Sequence, residues 1–457
     1  MSDEHRLGDA IARKFLWHVL WILLGLYFMA IVDRNNIAFG ALQMNRDLGL
    51  TSAMFGTGIG VFYAAYGIFE IPSNLALDRW GARVTLSRIA FMWGAATIGM
   101  ALVAGPVSFF LLRALLGAGE AGLFPGIVLY LSFWLPAVHR ARSNAMISYA
   151  VPISYLVSSL ISVPLLALDG TFNLRGWQWL FVIEGLPTIL LGLFVYWKLP
   201  NRPKDAKWLS AEEKKWLNDN LEQEQRKVAT ISFGLLKAVV SPSVLTLCAA
   251  YFALFSANAN LFSWAPQILK SYGTPNSEIG LLSAIPAAVS LTAIIAVARF
   301  SDKRKERFNT VIAALVAAMI GFAIVAQAST TTSVIVGFTI ASIGVLSGMP
   351  VFWSIPQTYL SRSAAPGTIA FISMVGSLGG ATTPMLIGHL RDTYHSFEWG
   401  FLLLSGLLGV AVLMLLLAKR LVAKSSLEGQ SVTSRGQDGP SLDLHERPEE
   451  ARARGGL

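Results

Sequence analysis

Apolar stretches long enough to cross a membrane recur along nearly the whole chain. A helix of about 18 to 20 apolar residues crosses the roughly 30 Å of hydrocarbon in a bilayer. The pattern predicts twelve such helices, at residues 16–38, 53–72, 84–104, 106–133, 144–168 and 178–198, and at 243–267, 278–299, 309–328, 332–357, 366–388 and 399–419. We therefore expect an all-α polytopic membrane protein built from two six-helix bundles.

Composition supports this class and divides the chain into five parts. Hydrophobic residues make up 54% of the sequence and charged residues 14%, against about 25% charged residues in a soluble domain. The predicted parts are an N-terminal segment (1–15), a first bundle (16–198), a linker (199–240), a second bundle (241–420) and a tail (421–457). The linker sequence KWLSAEEKKWLNDNLEQEQRK predicts a short amphipathic helix, and the polar tail is expected to be disordered.

The placement of Lys and Arg predicts the orientation in the membrane. One set of alternate connections is basic and contains Arg79, Arg83, Arg140, Arg142, the linker, the cluster at 303–307 and Arg362. The opposite connections carry only Arg46, Arg175, Lys270 and Arg391. Both termini are therefore predicted to be cytoplasmic, in a bacterial-type inner membrane. The basic residues behind the net charge of +9 flank the spans and do not form one patch. We therefore expect contact with the lipid bilayer and no nucleic-acid partner.

Four ionisable residues interrupt spans that are otherwise apolar. Asp33 and Arg34 lie in the first span, and Arg113 and Glu120 lie in the fourth. A charge at the bilayer centre costs roughly 2.5–3.5 kcal/mol on insertion scales, so such residues usually face a cavity and act there. Two acids and two arginines on two spans predict a water-accessible site that binds an anion and handles protons.

Each residue type suggests a role in that site. Arg34 is expected to bind a substrate carboxylate, because a guanidinium stays charged and meets a carboxylate through a planar fork. Glu120 is the expected proton carrier and Asp33 a second one, since burial favours a neutral carboxyl and a nearby arginine favours the carboxylate. The predicted substrate site also includes Arg113, Tyr66 and Asn258.

Two structural alternatives stay open at this point. The charges could serve as ion pairs between helices, either Asp33 with Arg113 or Glu120 with Arg34. The first span could also end at Val32, which would leave Asp33 and Arg34 among the lipid headgroups, although the apolar residues that follow argue against this.

An internal repeat connects the two halves. The segment NLALDRWGAR (Asn74–Arg83) and the segment ARFSDKRKER (Ala298–Arg307) occupy the same place in their halves. Each places an acid, Asp78 or Asp302, directly before basic residues. The first segment resembles the loop signature of the major facilitator superfamily, Gly-x-x-x-Asp-Arg-x-Gly-Arg-Lys, with Asn74 in place of the first Gly and Ala82-Arg83 in place of Arg-Lys. The resemblance implies that Asp78, Arg79 and Asp302 act as gating residues at the cytoplasmic ends of the helices.

A second resemblance points to one branch of that superfamily. Asp33-Arg34-Asn35-Asn36-Ile37, together with Arg113-x-x-x-Gly-x-Gly-Glu120-Ala and Phe124-Pro125, is similar to the anion:cation symporters, and most similar to bacterial tartrate- and phthalate-type permeases. The resemblance implies the major facilitator fold, a small organic anion as substrate, protons carried by Asp33 and Glu120, and an anion contact at Arg34.

The predicted function is import of an organic anion by proton symport, driven by the proton gradient, with no cofactor or metal and with a monomer as the working unit. An organic-anion exchanger or a drug-type exporter of the same fold is the alternative, although export of lipophilic cations gives no reason for Arg34 beside Asp33. An enzyme is not expected, because the six histidines are scattered and neither H-E-x-x-H nor G-x-S-x-G occurs. The sequence at 117–122 fits G-x-G-x-x-G, but it lies in an apolar helical run and not at a strand-to-helix turn.

Overall fold

The computed structural model describes residues 3–228, 241–304, 306–359 and 365–437, and regular structure in these ranges is helical. The first half contains α1 (Asp3–Phe15), α2 (Trp21–Asp47), α3 (Ser52–Trp80), α4 (Ala82–Met100), α5 (Pro106–Glu120), α6 (Leu123–Ser132), α7 (Ala137–Leu166) and α8 (Gly176–Lys198). The linker contains α9 (Ala211–Val228). The second half contains α10 (Pro242–Leu261), α11 (Ala265–Ser271), α12 (Asn276–Arg304), α13 (Arg307–Ala326), α14 (Thr331–Tyr359), α15 (Ala365–Tyr394) and α16 (Glu398–Gln437).

Eleven helical segments of the described chain are long and apolar enough to cross a membrane. They coincide with eleven of the twelve predicted spans. The remaining span, predicted at 84–104, falls on α4, where Arg83 and Arg88 lower the mean hydropathy. Because α4 packs against α8 and α5 in the bundle, we count it as the twelfth helix of the fold. The prediction of an all-α polytopic membrane protein is confirmed.

The helices pack in the same pattern in both halves. In the first half α2 contacts α7 and α8, α4 contacts α5 and α8, and α3 contacts α5. In the second half α10 contacts α15 and α16, α13 contacts α14 and α16, and α12 contacts α14. The two sets of pairs match helix for helix. The predicted pseudo-repeat of six helices is therefore confirmed.

The two halves meet where α3 packs against α15 and α7 packs against α12. The backbones approach closely, since a Cβ added to Gly60 would lie only 2.2 Å from the carbonyl oxygen of Ala381. At the end of the bundle away from α1, the Asp392 carboxylate accepts hydrogen bonds from the backbone N–H groups of Ser52 (3.0 Å) and Ala53 (2.7 Å). Asp392 thereby caps the first turn of α3 and joins the halves.

The linker packs on the first half at the opposite end. The predicted amphipathic helix is α9, and the Lys14 ammonium of α1 donates to the Glu213 carboxylate at 2.8 Å. Burial by itself would raise the pKa of Glu213, but the hydrogen bonds from Lys14 and from the Ser210 backbone outweigh it and hold that pKa below its usual range. The ring of His18 stacks on Trp208 at 4.8 Å, so the linker is bound by charge and by aromatic contact.

The predicted tail begins inside a helix. α16 continues to Gln437, so residues 421–437, which were expected to be disordered, are helical, and residues 438–457 lie outside the described ranges. The physical reason is cooperativity: adding a residue to a helix that packing already holds costs far less than starting a new one.

Candidate functional site

Asp33 lies near the middle of α2, far from either end of that helix. Its side chain is 1% exposed, which excludes a place among the headgroups. Asp33 Oδ1 accepts a hydrogen bond from Asn36 Nδ2 (2.9 Å), and Oδ2 accepts one from the indole N–H of Trp93 in α4 (3.0 Å). Successive helix residues point about 100° apart, so these two donors hold Asp33 toward α4 and away from Arg34.

Arg34 and Glu120 form a buried ion pair between α2 and the end of α5. Arg34 Nε donates to Glu120 Oε1 (2.7 Å), and Nη2 lies 2.5 Å from the same oxygen. The other oxygen, Oε2, has no hydrogen-bond partner among the described residues. The guanidinium also lies over the rings of Phe62 (5.7 Å) and Tyr66 (5.1 Å). Of the two ion pairs considered from the sequence, the structure forms Glu120 with Arg34.

Arg113 is a buried cation without a carboxylate partner. Its side chain is 3% exposed, and its Nε donates to the carbonyl oxygen of Gly58 (3.1 Å). Its guanidinium lies 4.7 Å from the centre of the Phe62 ring, the ring that Arg34 also covers. Within the described part of the chain no carboxylate lies within 4.0 Å of it, so the pair of Asp33 with Arg113 is not formed. In the described ranges the Arg113 guanidinium thus contacts a ring and a carbonyl directly, and Asp33 and Glu120 act on its charge only from a greater distance.

The fourth span is broken at the site. The predicted span at 106–133 is confirmed as one membrane-crossing segment, Pro106–Ser132, but its helix is interrupted, because α5 ends at Glu120 and α6 begins at Leu123. Gly122 has φ 83°, which favours glycine, and a Cβ there would lie 2.7 Å from the Cβ of Ser73. The last carbonyls of a helix lack partners within it, so the break adds hydrogen-bond acceptors beside Glu120. Broken helices of this kind occur at the substrate and ion sites of transporters.

The second half contributes Asn258 to the face opposite Arg34. Asn258 follows Phe255 by three residues and precedes Phe262 by four, so the three share one face of α10. That face points to the first half, because the Phe255 ring lies 5.6 Å from Tyr63 and the Phe262 ring lies 4.0 Å from Tyr155. Asn258 is half-buried. Its amide has no hydrogen-bond partner in the described ranges, which leaves it able to meet a ligand.

The comparisons with known proteins decide the family. Residues 23–384 match the family model described as Major Facilitator Superfamily. The chain belongs to the major facilitator superfamily. It is therefore a multi-pass membrane transporter and not an enzyme, as predicted.

Individual relatives refine this assignment. The chain is 41% identical over 414 residues to a candidate tartrate transporter of Agrobacterium vitis, covering 90% of this chain and 92% of the relative. It is 34% identical over 397 residues to a quinolone resistance transporter of Acinetobacter baumannii, covering 86% and 92%. A solved structure of a bacterial homologue of the human lysosomal transporter Spinster aligns with a TM-score of 0.71 at 18% identity, covering 89% of this chain and 97% of that one. The tartrate relative agrees with the resemblance to organic-anion permeases, and the structural match shows the major facilitator fold.

The predicted gating residues of this major facilitator chain lie away from the anion site. Asp78 is exposed at the end of α3 and lies 3.6 Å from Arg202 of the linker. The guanidinium of Arg202 in turn lies 3.6 Å from the centre of the Phe133 ring. Arg79 forms no ion pair in the described ranges, and the side chain of Asp302 lies outside what the structure describes. Gating by Asp78, Arg79 and Asp302 stays a prediction.

Two buried residues of the site were missed in the sequence. Trp93 gave no signal, because an indole in an apolar span is usual and only the fold brings it to Asp33. Glu184 did give one, since it is the one acid in the apolar span 178–198. The reasoning that identified Asp33 and Glu120, that an acid inside a span is costly and functional, applies equally to Glu184.

Proposed function

We propose that this transporter imports a small organic anion by proton symport with alternating access. The expected substrate is a carboxylate such as tartrate, another hydroxy or sugar acid, or an aromatic acid such as phthalate. The observation that carries the proposal is the ion pair of Arg34 with Glu120. The guanidinium that would bind the carboxylate of a substrate here binds the carboxylate of Glu120.

The proposed coupling is a competition for Arg34. While Glu120 is ionised, its Oε1 occupies both Nε and Nη2 of the guanidinium. A proton on Glu120 removes the charge that holds this pair and frees the guanidinium for a substrate carboxylate, to which it donates through two parallel N–H groups. Loss of that proton on the other side of the membrane restores the internal pair and displaces the substrate. Proton and anion therefore travel together.

Charge balance supports the same coupling. With Asp33 and Glu120 ionised, their two negative charges balance the two positive charges of Arg34 and Arg113 in a buried site. A substrate carboxylate would add a further negative charge, which is costly in a region of low dielectric constant. Proton uptake by Glu120 or Asp33 compensates it. Tyr66, stacked on Arg34, and Asn258, on the facing half, are proposed to complete the substrate site.

Proton symport differs from export in the direction of transport, and from exchange in its driving force. The relative named as a quinolone resistance transporter makes the exporter the alternative to test. An exchanger would need substrate on both sides of the membrane, whereas a symporter accumulates substrate from one side when a pH gradient is imposed.

The experiment is uptake into proteoliposomes with an alkaline interior, using labelled hydroxy, sugar and aromatic acids, with a protonophore as control. The proposal expects one class of carboxylate to accumulate against its gradient and the protonophore to abolish accumulation. Transport that needs internal substrate and ignores the pH gradient would indicate exchange, and quinolone efflux without carboxylate uptake would indicate the exporter.

A further inference from the structure

Glu184 is a buried acid that the proposed coupling does not use. It lies in α8, its side chain is 3% exposed, and neither carboxyl oxygen has a hydrogen-bond partner in the part of the chain that the structure describes. A buried polar group without a partner destabilises the folded protein. A leucine or methionine at this position would avoid that cost, so the acid calls for a functional explanation.

The packing of α8 on α2 places Glu184 beside Asp33. The two helices run antiparallel: a Cβ on Gly40 of α2 would lie 3.4 Å from the Phe181 ring, and one on Gly25 would lie 3.7 Å from Leu191. Glu184 lies between these two levels, which matches it with the turn of α2 that contains Asp33 and Asn36. Asp33 also acts on Glu184 as a like charge, and the Asn36 amide acts on it as a nearby hydrogen-bond donor, although no hydrogen bond of standard geometry is formed.

No cation faces Glu184 from the helices around it in the described ranges. The nearest arginines on α4 are Arg83 and Arg88, which lie beside the part of α8 around Gly192 or farther from Glu184. A Cβ on Gly192 would lie 3.3 Å from the carbonyl oxygen of Ser87. Gly192 is eight residues, or about 12 Å, along α8 from Glu184. On α7, the sequence from Ser143 to Leu166 contains no charged residue. An ionised Glu184 would thus stand without a counter-charge, which is unfavourable in a buried site, so the side chain holds a proton in this conformation.

Asn36 is placed to serve both acids. Its amide donates to Asp33 Oδ1 at 2.9 Å, which is the contact an ionised Asp33 requires. If the amide turned to Glu184, it would provide the same contact to that carboxylate. The amide therefore favours whichever of the two acids is ionised, while the other acid holds the proton.

We propose that Glu184 is a third proton-carrying carboxyl of the transporter, which exchanges its proton with Asp33 as Asn36 turns between them. In this step the O–H bond of Glu184 breaks, an O–H bond forms on Asp33, and the total charge of the pair is unchanged. This inference rests on the proposed proton symport. Asp33 then releases this proton to the interior, and Glu184 takes up another from the exterior before the next cycle, so the two acids together move one proton with each anion in addition to the proton on Glu120.

The test is the dependence of steady-state accumulation on the pH gradient, measured in proteoliposomes for the wild type and for Glu184→Gln. Each coupled proton contributes a factor of about ten in accumulation per pH unit, since 1.4 kcal/mol is tenfold. Glu184→Gln is therefore expected to accumulate about tenfold less at a gradient of one pH unit and to keep substrate counterflow. The matched control is Thr188→Val, one turn along the same face of α8. Among the described residues its hydroxyl bonds the Glu184 backbone carbonyl alone (3.3 Å), and the variant is expected to keep the wild-type dependence.

The remaining outcomes each decide the matter. Wild-type accumulation in Glu184→Gln, or loss of counterflow in that variant when it is folded, would overturn the inference and leave the symport proposal standing. A wild type that ignores the pH gradient would overturn both. If Glu184→Gln does not assemble, Glu184→Asp takes its place. This variant keeps a titratable carboxyl and is expected to show the wild-type dependence of accumulation on the pH gradient. Loss of one coupled proton in Glu184→Asp would count against the exchange with Asp33.

Discussion

The replacement Arg34→Lys tests how the site binds its anion. The guanidinium makes two contacts with a carboxylate oxygen, through Nε and Nη2, and stacks on the Tyr66 ring at 5.1 Å. Lysine keeps the charge but loses the fork and the flat surface. A hydrogen bond to a charged group contributes about 1.5–3 kcal/mol, so losing one should raise the substrate Kd about 10- to 150-fold.

The assay is equilibrium binding of the transported acid to purified protein, with Arg46→Lys as the matched control. Arg46 has the same side chain on the same helix, but that side chain is 85% exposed, and its replacement is expected to leave Kd within about twofold of the wild type. An Arg34→Lys protein with wild-type Kd, or an inserted Arg34→Ala protein that transports at near wild-type rates, would refute the carboxylate role.

Three further predictions concern the two ends of the bundle. Asp392→Ala removes the cap on α3, at a cost of about 1 kcal/mol, and should raise maleimide labelling of a cysteine placed at Gln267, in a Cys248→Ala background. Unchanged labelling would argue that Asp392 does not hold the two halves together. Asp78→Asn should change the transport rate more than the substrate Kd, because Asp78 contacts Arg202 at the end of α3, away from the anion site. Equal changes in rate and Kd would argue against gating. The Lys14–Glu213 pair should stabilise the folded protein above about pH 4.5 and lose that contribution as pH falls through the lowered pKa of Glu213. The measurement is the melting temperature as a function of pH for the wild type and for Glu213→Gln. The same pH dependence in both proteins would contradict this.

The helices of the fold could be predicted from the sequence because bilayer thickness sets their length. Asp33, Arg34, Arg113 and Glu120 could be found for a related reason, since charge inside a span is costly and therefore informative. Their pairing could not be predicted, because either acid could have met either arginine, and only the arrangement of α2 against α5 selects Glu120 for Arg34.

Other features depend on contacts that local pattern does not encode. The break after Glu120 follows from Gly122 meeting Ser73 of α3, which no hydropathy profile contains. Asp33 and Trp93 are 60 residues apart and meet only because α2 and α4 both pack on α8. The helical continuation of α16 to Gln437 depends on the membrane helix that precedes it, whereas composition alone favoured disorder.

The central claim is that the Glu120 carboxylate competes with the substrate carboxylate for Arg34, and that a proton on Glu120 ends this competition. One paired measurement tests it most directly. Counterflow and pH-driven accumulation are measured on the same reconstituted Glu120→Gln protein, with the exposed Glu278→Gln as the matched control. Glutamine keeps the size of the side chain but is fixed as a mimic of the protonated form. The account predicts that counterflow persists, with Arg34 free to bind the anion, while accumulation driven by a pH gradient falls about tenfold per pH unit, because Glu120 no longer carries its proton. Wild-type accumulation in Glu120→Gln, or loss of both activities in a folded protein, would contradict it.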